Sequence, residues 1–162
     1  MKHVILALFL CLGFFATAQT VTIPDPNFKA ALLDHDPIID TNGDGEIQVS
    51  EAEALTGEVN VDHTDTTDIT GIDAFVNITG FSCNATDITI IDITQNTNLT
   101  YLNLGFNAFY GEIPGSIGNL TNLTELYFSF NQLTGDIPYT IGNLQNLTMI
   151  SIINNQFYAV YI

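Results

Sequence analysis

The sequence predicts an α/β solenoid, with short parallel strands stacked turn upon turn, preceded by a small helical cap. Three observations lead there. Laid over itself, the chain repeats: LNLGFNAFYGEIPGSIGNLTNLTE from Leu102 is followed by LYFSFNQLTGDIPYTIGNLQNLTM from Leu126, and ISIINNQF opens a third copy at Ile150, at a spacing of 24 residues. Each copy begins with alternating apolar residues (Leu102/Leu104, Leu126/Phe128, Ile150/Ile152), the period-two pattern of a strand with one buried face. Ahead of the repeats, residues 40–51 read DTNGDGEIQVSE, a loop with side-chain oxygens at alternate positions.

Taken in order, residues 1–18 carry a basic start (Lys2, His3), an apolar run from Val4 to Phe15 and the small residues Ala16-Thr17-Ala18. That layout predicts a secretory signal peptide cleaved after Ala18, its apolar run too short to span a bilayer. Leu10 stands before Cys11 where a lipoprotein signal needs a small residue, so lipidation is not expected. No later segment is apolar enough for a transmembrane span. The expectation is export from a Gram-negative cell, as a secreted or cell-surface protein. Cys83, the one cysteine left, is read as a buried apolar residue without a disulfide.

Residues 19–56 are expected to form the cap. Asp25-Pro26 is a helix start, with a capping oxygen followed by proline at the first helical position, and Phe28, Ala31, Leu32 and Leu33 give that helix an apolar face. The loop at 40–51 matches an EF-hand loop at each ligand position. Asp40, Asn42 and Asp44 stand at 1, 3 and 5, and Gly45 at 6 permits the sharp turn. Glu46 offers its backbone carbonyl at 7, Ile47 packs inward at 8, Gln48 reaches through water at 9, and Glu51 is the bidentate carboxylate at 12. Three carboxylates and an amide suit Ca²⁺, a hard ion that prefers oxygen. An acidic turn that binds nothing would not also place glycine, an aliphatic and glutamate at those positions. Residues 50–55 read as the outgoing helix. A lone extracellular loop of this type binds at about 10⁻⁴ to 10⁻³ M, which fits a structural clip better than a sensor.

From residue 57 to 162 the repeats take over. Shorter copies begin at Val59 (VNVDHTDTTDI) and Phe81 (FSCNATDI), making about four full turns and a stub. Asn107, Asn131 and Asn155 recur after each strand, placed to bond backbone groups of neighbouring turns. Gly111 to Pro114 and Gly135 to Pro138 share Gly-x-Ile-Pro, read as an extended crossing segment because proline fixes φ and offers no donor. Over residues 57–160 this pattern resembles the leucine-rich repeat family. The 24-residue copies look like those of plant receptors and inhibitors. The front copies, with IPDPNFKAALL, the acidic loop and EAEAL, resemble the N-terminal region of secreted Bacteroidetes proteins. The resemblance implies a binding scaffold and leaves its ligand open.

On such a scaffold the outward strand residues form the concave face: Tyr101, Asn103 and Phe106, then Glu125, Tyr127 and Phe130, then Ser151 and Asn154. Phe106 and Phe130 are expected to stack in a column beside Tyr127, as anchors for a protein or glycan or as lateral packing between turns. The chain carries 18 acidic residues against two basic ones, and 15 of the acids fall between Asp25 and Asp92. That balance excludes nucleic acid and anionic lipid as partners. Enzymatic chemistry finds no support: His35 and His63 have no nucleophile beside them, and no phosphate-cradling loop occurs. Threonine-rich stretches show no regular spacing and are read as strand propensity. Most Asn-x-Thr sequons are the NLT of the repeat. QFYAVYI ends the chain without a polar capping turn, so self-association through that end is expected, and a truncated or purely structural fragment is the first rival reading. A polysaccharide hydrolase or lyase is the second.

Overall fold

The computed structural model describes residues 19–89 and 93–158, so the signal-peptide reading of residues 1–18 lies outside the described residues. In chain order the elements are α1 (Pro26–Leu33), α2 (Val49–Ala54), β1 (Gly57–Asn60), β2 (Ile78–Ser82), β3 (Tyr101–Asn103), β4 (Tyr110–Gly111), β5 (Glu125–Tyr127), β6 (Gln132–Gly135), β7 (Met149–Ser151) and β8 (Gln156–Phe157). β1, β2, β3, β5 and β7 pair in that order as a five-stranded parallel sheet. Its register aligns Phe81, Leu102, Leu126 and Ile150 in one column. Side chains alternate across a strand, so this column points inward. Val59, Phe81, Leu102 and Leu126 are fully buried. Ile150, expected to be buried, is 38% exposed, because no described turn packs over it.

Gly-x-Ile-Pro does more than cross the repeat. β4, β6 and β8 form a second, three-stranded parallel sheet that the sequence did not announce. Gly111 (φ 78°) and Gly135 (φ 75°) take the left-handed turn that ends this short pairing, a conformation that costs glycine least. Pro114 and Pro138, at φ −65° and −63°, then lead into 3₁₀ helices at Gly115–Asn119 and Tyr139–Asn143. A shorter one spans Ile72–Ala74. The α-helical part of this α/β solenoid is thus confined to the front, and the repeats carry 3₁₀ turns.

These turns pack closely enough to distinguish two equivalent glycines. A Cβ on Gly118 would meet the Thr140 carbonyl oxygen at 2.5 Å, whereas nothing lies within 4 Å of one on Gly142. Gly118→Ala is therefore expected to cost about 2 kcal/mol through overpacking, with Gly142→Ala near neutral. Urea midpoints of the two variants check this; equal values contradict it.

Three side-chain ladders lock turn to turn. Buried Asn131 donates through Nδ2 to the carbonyls of Leu104 (2.9 Å), Phe128 (3.0 Å) and Ser129 (3.4 Å), while its Oδ1 accepts from Phe109 N–H (3.1 Å). Asn107 and Asn155 make the same kind of bridge, and Asn107 Oδ1 also accepts from the Thr86 hydroxyl. A second ladder joins Asn77, Asn98, Asn122 and Asn146 to the carbonyls of Glu53, Val76, Thr97 and Thr121. The third is built from threonines outside the threonine-rich stretches of the front turns. Thr79, Thr100, Thr124 and Thr148 occupy one position per turn, each hydroxyl donating to a carbonyl of the preceding turn. The column follows the repeat spacing, with Thr100, Thr124 and Thr148 each ending an NLT. It also gives NLT a structural role, since its Asn and its Thr both tie adjacent turns.

The cap and the repeats share one apolar core. Phe28, Leu32, Ile39, Ile47, Ala52 and Leu55 run continuously into Val59, Val61, Ile69, Ile72 and Phe75. Asp25 is the fastener. Its Oδ1 accepts from the N–H groups of Asn27 and Phe28, both at 2.8 Å, capping α1. Its Oδ2 accepts from Thr67 N–H (2.9 Å), the Thr67 hydroxyl (2.9 Å) and Asp68 N–H (3.2 Å) in the first repeat. His35 adds a link, with Nδ1 2.9 Å from the Pro37 carbonyl and Nε2 3.0 Å from that of Glu58 in β1.

Candidate calcium loop and concave face

The loop does not grow out of α1 as a contiguous helix–loop–helix. α1 stops at Leu33, and residues 34–39, with a cis Asp36–Pro37 peptide, intervene before Asp40. DHDP supplies the break, since proline disfavours helix at the residue before it. Only the exit is helical, and α2 begins at Val49, one residue earlier than expected. The loop is braced by its own chain: Val21 N–H donates to Ile47 O (2.8 Å) and Val49 N–H to Gln19 O (2.8 Å), and Ile47 is buried as its position requires.

Each expected ligand residue orders the loop. Asp40 Oδ1 accepts from Gly43 N–H (2.8 Å) and Asp44 N–H (3.2 Å), and Oδ2 from Gly45 N–H (2.9 Å). Gly43 and Gly45 are left-handed at φ 73° and 80°, as this turn demands. Asn42 Oδ1 accepts from Asp44 N–H and Asp44 Oδ1 from Glu46 N–H, both at 2.8 Å. Glu51 joins the two ends. Its Oε1 accepts from Thr41 N–H (2.8 Å), the Thr41 hydroxyl (2.8 Å) and Asn42 N–H (3.3 Å), and its Oε2 from Gln48 N–H (3.0 Å). The Glu46 carboxylate points away to Lys29 Nζ at 2.7 Å, leaving its backbone carbonyl toward the loop.

Among the described residues no three His, Cys, Asp or Glu side chains converge as a metal cluster. What converges instead is the Gln48 amide. Its Nε2 lies 3.2 and 3.1 Å from the two Asp44 oxygens and 3.4 Å from the Glu46 carbonyl. Asn42 Nδ2 lies 3.1 Å from Asp44 Oδ2 and 2.6 Å from Gln48 Oε1. Electropositive N–H groups thus gather the oxygens that the spacing assigns to a cation. The donor set is all oxygen once these amides turn, which fits a hard divalent ion.

Charge in this region favours ionised carboxylates. Burial pushes the Asp25 and Glu51 carboxyls up, but the donors gathered on each outweigh it and hold both below the usual range. Asp44 is also lowered, chiefly by the Glu46 N–H. A carboxyl lowered in the folded state stabilises above its unfolded value, and that contribution is lost as pH falls through the folded one. Stability is therefore expected to drop as pH falls below about 4. Asp25→Asn and Glu51→Gln are expected to flatten this slope in urea titrations; an unchanged slope contradicts the assignment. Asp25→Ala is further expected to cost about 1–2 kcal/mol at neutral pH as a lost cap.

The concave face presents two aromatic pairs. Phe106 and Phe130 stack at 4.1 Å with 12° between planes, 52% and 41% exposed, as anticipated. They lie beyond the strand ends rather than on them, at φ 54° and 59°, in a left-handed column shared with His63, Ala85 and Asn154. Inter-turn bonds hold that conformation, Phe106 N–H to Ser129 O and Phe130 N–H to Ile153 O, each 2.9 Å. Tyr127 does not join this stack. It pairs with Tyr101 at 5.9 Å and 55°, and its hydroxyl donates to Glu125 Oε2 at 2.7 Å, which pushes the phenol up. Asn103 is half-buried, its Oδ1 accepting from Gly105 N–H (3.1 Å) and Asn84 Nδ2 (3.4 Å), so it serves the turn as well as the surface. In chain order Gly105 and Ser129 separate the two aromatic pairs, and the Ser129 and Ser151 hydroxyls lie 2.6 Å apart.

This stack of parallel strands, asparagine ladders and 3₁₀ turns has the fold of leucine-rich repeat solenoids, and the leucine rich repeat model matches residues 89–157. The functional domain of InlJ from Listeria monocytogenes aligns over 89% of this chain and 30% of its own, with 27% identity and a TM-score of 0.71. The ectodomain of the Arabidopsis thaliana receptor kinase SOBIR1 aligns over 62% of this chain and 57% of its own, with 26% identity and a TM-score of 0.56. A plant peptide hormone receptor, RGFR1 in complex with RGF2, aligns over 64% of this chain and 16% of its own, with 28% identity and a TM-score of 0.52. The chain therefore spans less than two thirds of each of these structures. No curated protein matches the sequence at a significant level. Among the described residues no helix is long and apolar enough to cross a membrane.

Proposed function

We propose that the chain is an exported protein-recognition module, non-catalytic, whose concave face binds its partner and whose acidic loop holds structural calcium. The exposed Phe106–Phe130 stack on a ladder-locked sheet carries the reading: rigid aromatic surface in a fixed frame anchors a partner at low entropic cost. That plant receptor ectodomains share the fold, one bound to a peptide, favours a protein over a glycan. Calcium fits as a clasp because Glu51 already joins the ends of a loop whose donors are hard oxygens.

Probing arrays of extracellular proteins and of glycans with the tagged protein tests the binding face. The expected result is protein hits that disappear with Phe106→Ala/Phe130→Ala. Hits retained by that variant, or hits to glycans alone, contradict the reading.

A further inference from the structure

We infer that the segment docking on the concave face carries arginine or lysine, held between the carboxylates and aromatic rings that flank β3. This rests on the reading of that face as the recognition surface and adds the chemistry of the partner. The sheet register sets Glu58, Gly80, Tyr101 and Glu125 side by side on successive strands. Adjacent strands lie about 4.8 Å apart, so Tyr101 sits within a few ångströms of one carboxylate-bearing strand and two strands from the other. Gly80 offers no side chain to separate them, and a Cβ there would meet Glu58 Cγ at 3.0 Å, so the Glu58 stem lies over this position. On the far side the Tyr127 hydroxyl orients Glu125 through its 2.7 Å bond.

Nothing on the face offsets this charge. Lys29 is the one lysine or arginine among the described residues, and it is engaged by Glu46 at 2.7 Å in the cap. An acidic or phosphorylated segment would therefore meet uncompensated repulsion, whereas a cation gains from the carboxylates and from the ring faces together. The near-parallel Phe106–Phe130 stack, three residues beyond the strands, turns two ring faces on each other and leaves apolar surface for the aliphatic stem of an arginine or lysine. Carboxylate and aromatic surface side by side select for a cationic side chain over a neutral one.

Titrating the ¹⁵N-labelled protein with hexa-arginine, hexaglutamine and hexaglutamate peptides tests this. Hexa-arginine is expected to shift the amides of Tyr101, Glu125, Tyr127, Phe106 and Phe130, with the other two silent. Glu125→Gln is expected to weaken binding about 5-fold and Phe106→Ala/Phe130→Ala about 10-fold, on the scale of a single charge pair and of lost apolar contact. Shifts confined to the acidic stretch Asp62–Asp73, or equal affinity in both variants, overturn the inference as diffuse charge attraction. Selection of random displayed peptides separates it from the underlying reading. Selected peptides without arginine or lysine that still need the phenylalanine pair overturn the cationic partner and keep the face. Peptides indifferent to that pair overturn both.

Discussion

Asn131→Ala is expected to destabilise the protein by about 3 kcal/mol. Its side chain is buried, and it satisfies the carbonyls of Leu104 and Phe128 and the N–H of Phe109 across two turns. Alanine leaves those groups without partners in a site closed to bulk water, and each such group costs about 1–3 kcal/mol. Asn131→Asp is expected to be nearly as damaging, because a carboxylate cannot donate to the two carbonyls. Asn155→Ala makes a graded control: it bonds the same way but is only half-buried, so water replaces part of what is lost. Chemical denaturation of the three variants measures the ranking. A loss under 1 kcal/mol for Asn131→Ala would mean that the ladder does not hold the turns together.

Glu51→Ala is expected to cost about 2–3 kcal/mol in the absence of calcium and to abolish any response to it. One carboxylate accepts from Thr41 N–H, the Thr41 hydroxyl, Asn42 N–H and Gln48 N–H, so its removal frees donors at both ends of the loop. The loop lies between α1 and α2, whose apolar residues continue the core of the first repeat, so loosening it exposes Ile39 and Ile47. Glu51→Gln separates the two roles. It keeps the shape and part of the hydrogen bonding, and it is expected to lose the calcium response while retaining most of the stability. Tryptophan is absent from the chain, so circular dichroism is the suitable readout.

What could be read from sequence alone was local. Asp25-Pro26 signals a capped helix within three residues, and the cap bonds are as anticipated. The apolar alternation at Leu102/Leu104 and the asparagine after each strand each describe one turn of the chain, and the solenoid copies them. The features that escaped depend on register between turns. Asp25 reaching Thr67 and Asp68 joins residues some forty positions apart. The threonine hydroxyls likewise find their carbonyl partners 21 to 24 positions away, in the preceding turn. Tyr127 meets Tyr101 diagonally instead of the phenylalanines, since the strand ends before the chain turns left-handed at Phe130. Left-handed phenylalanine runs against local preference, so no propensity argument finds it. In the loop, ligand spacing was legible and the way its amides pair was not, for Gln48 and Asn42 choose partners only once the loop has closed.

The claim that ties these parts together is that calcium clasps the cap onto the solenoid. Thermal unfolding followed by circular dichroism, in a few millimolar calcium and in EDTA, tests it most directly. With a dissociation constant near 10⁻⁴ M, mass action adds about 2 kcal/mol. A single cooperative transition raised by roughly 5 °C in calcium is expected, with no rise for Glu51→Gln. Superimposable curves for the unaltered protein in calcium and in EDTA would contradict it.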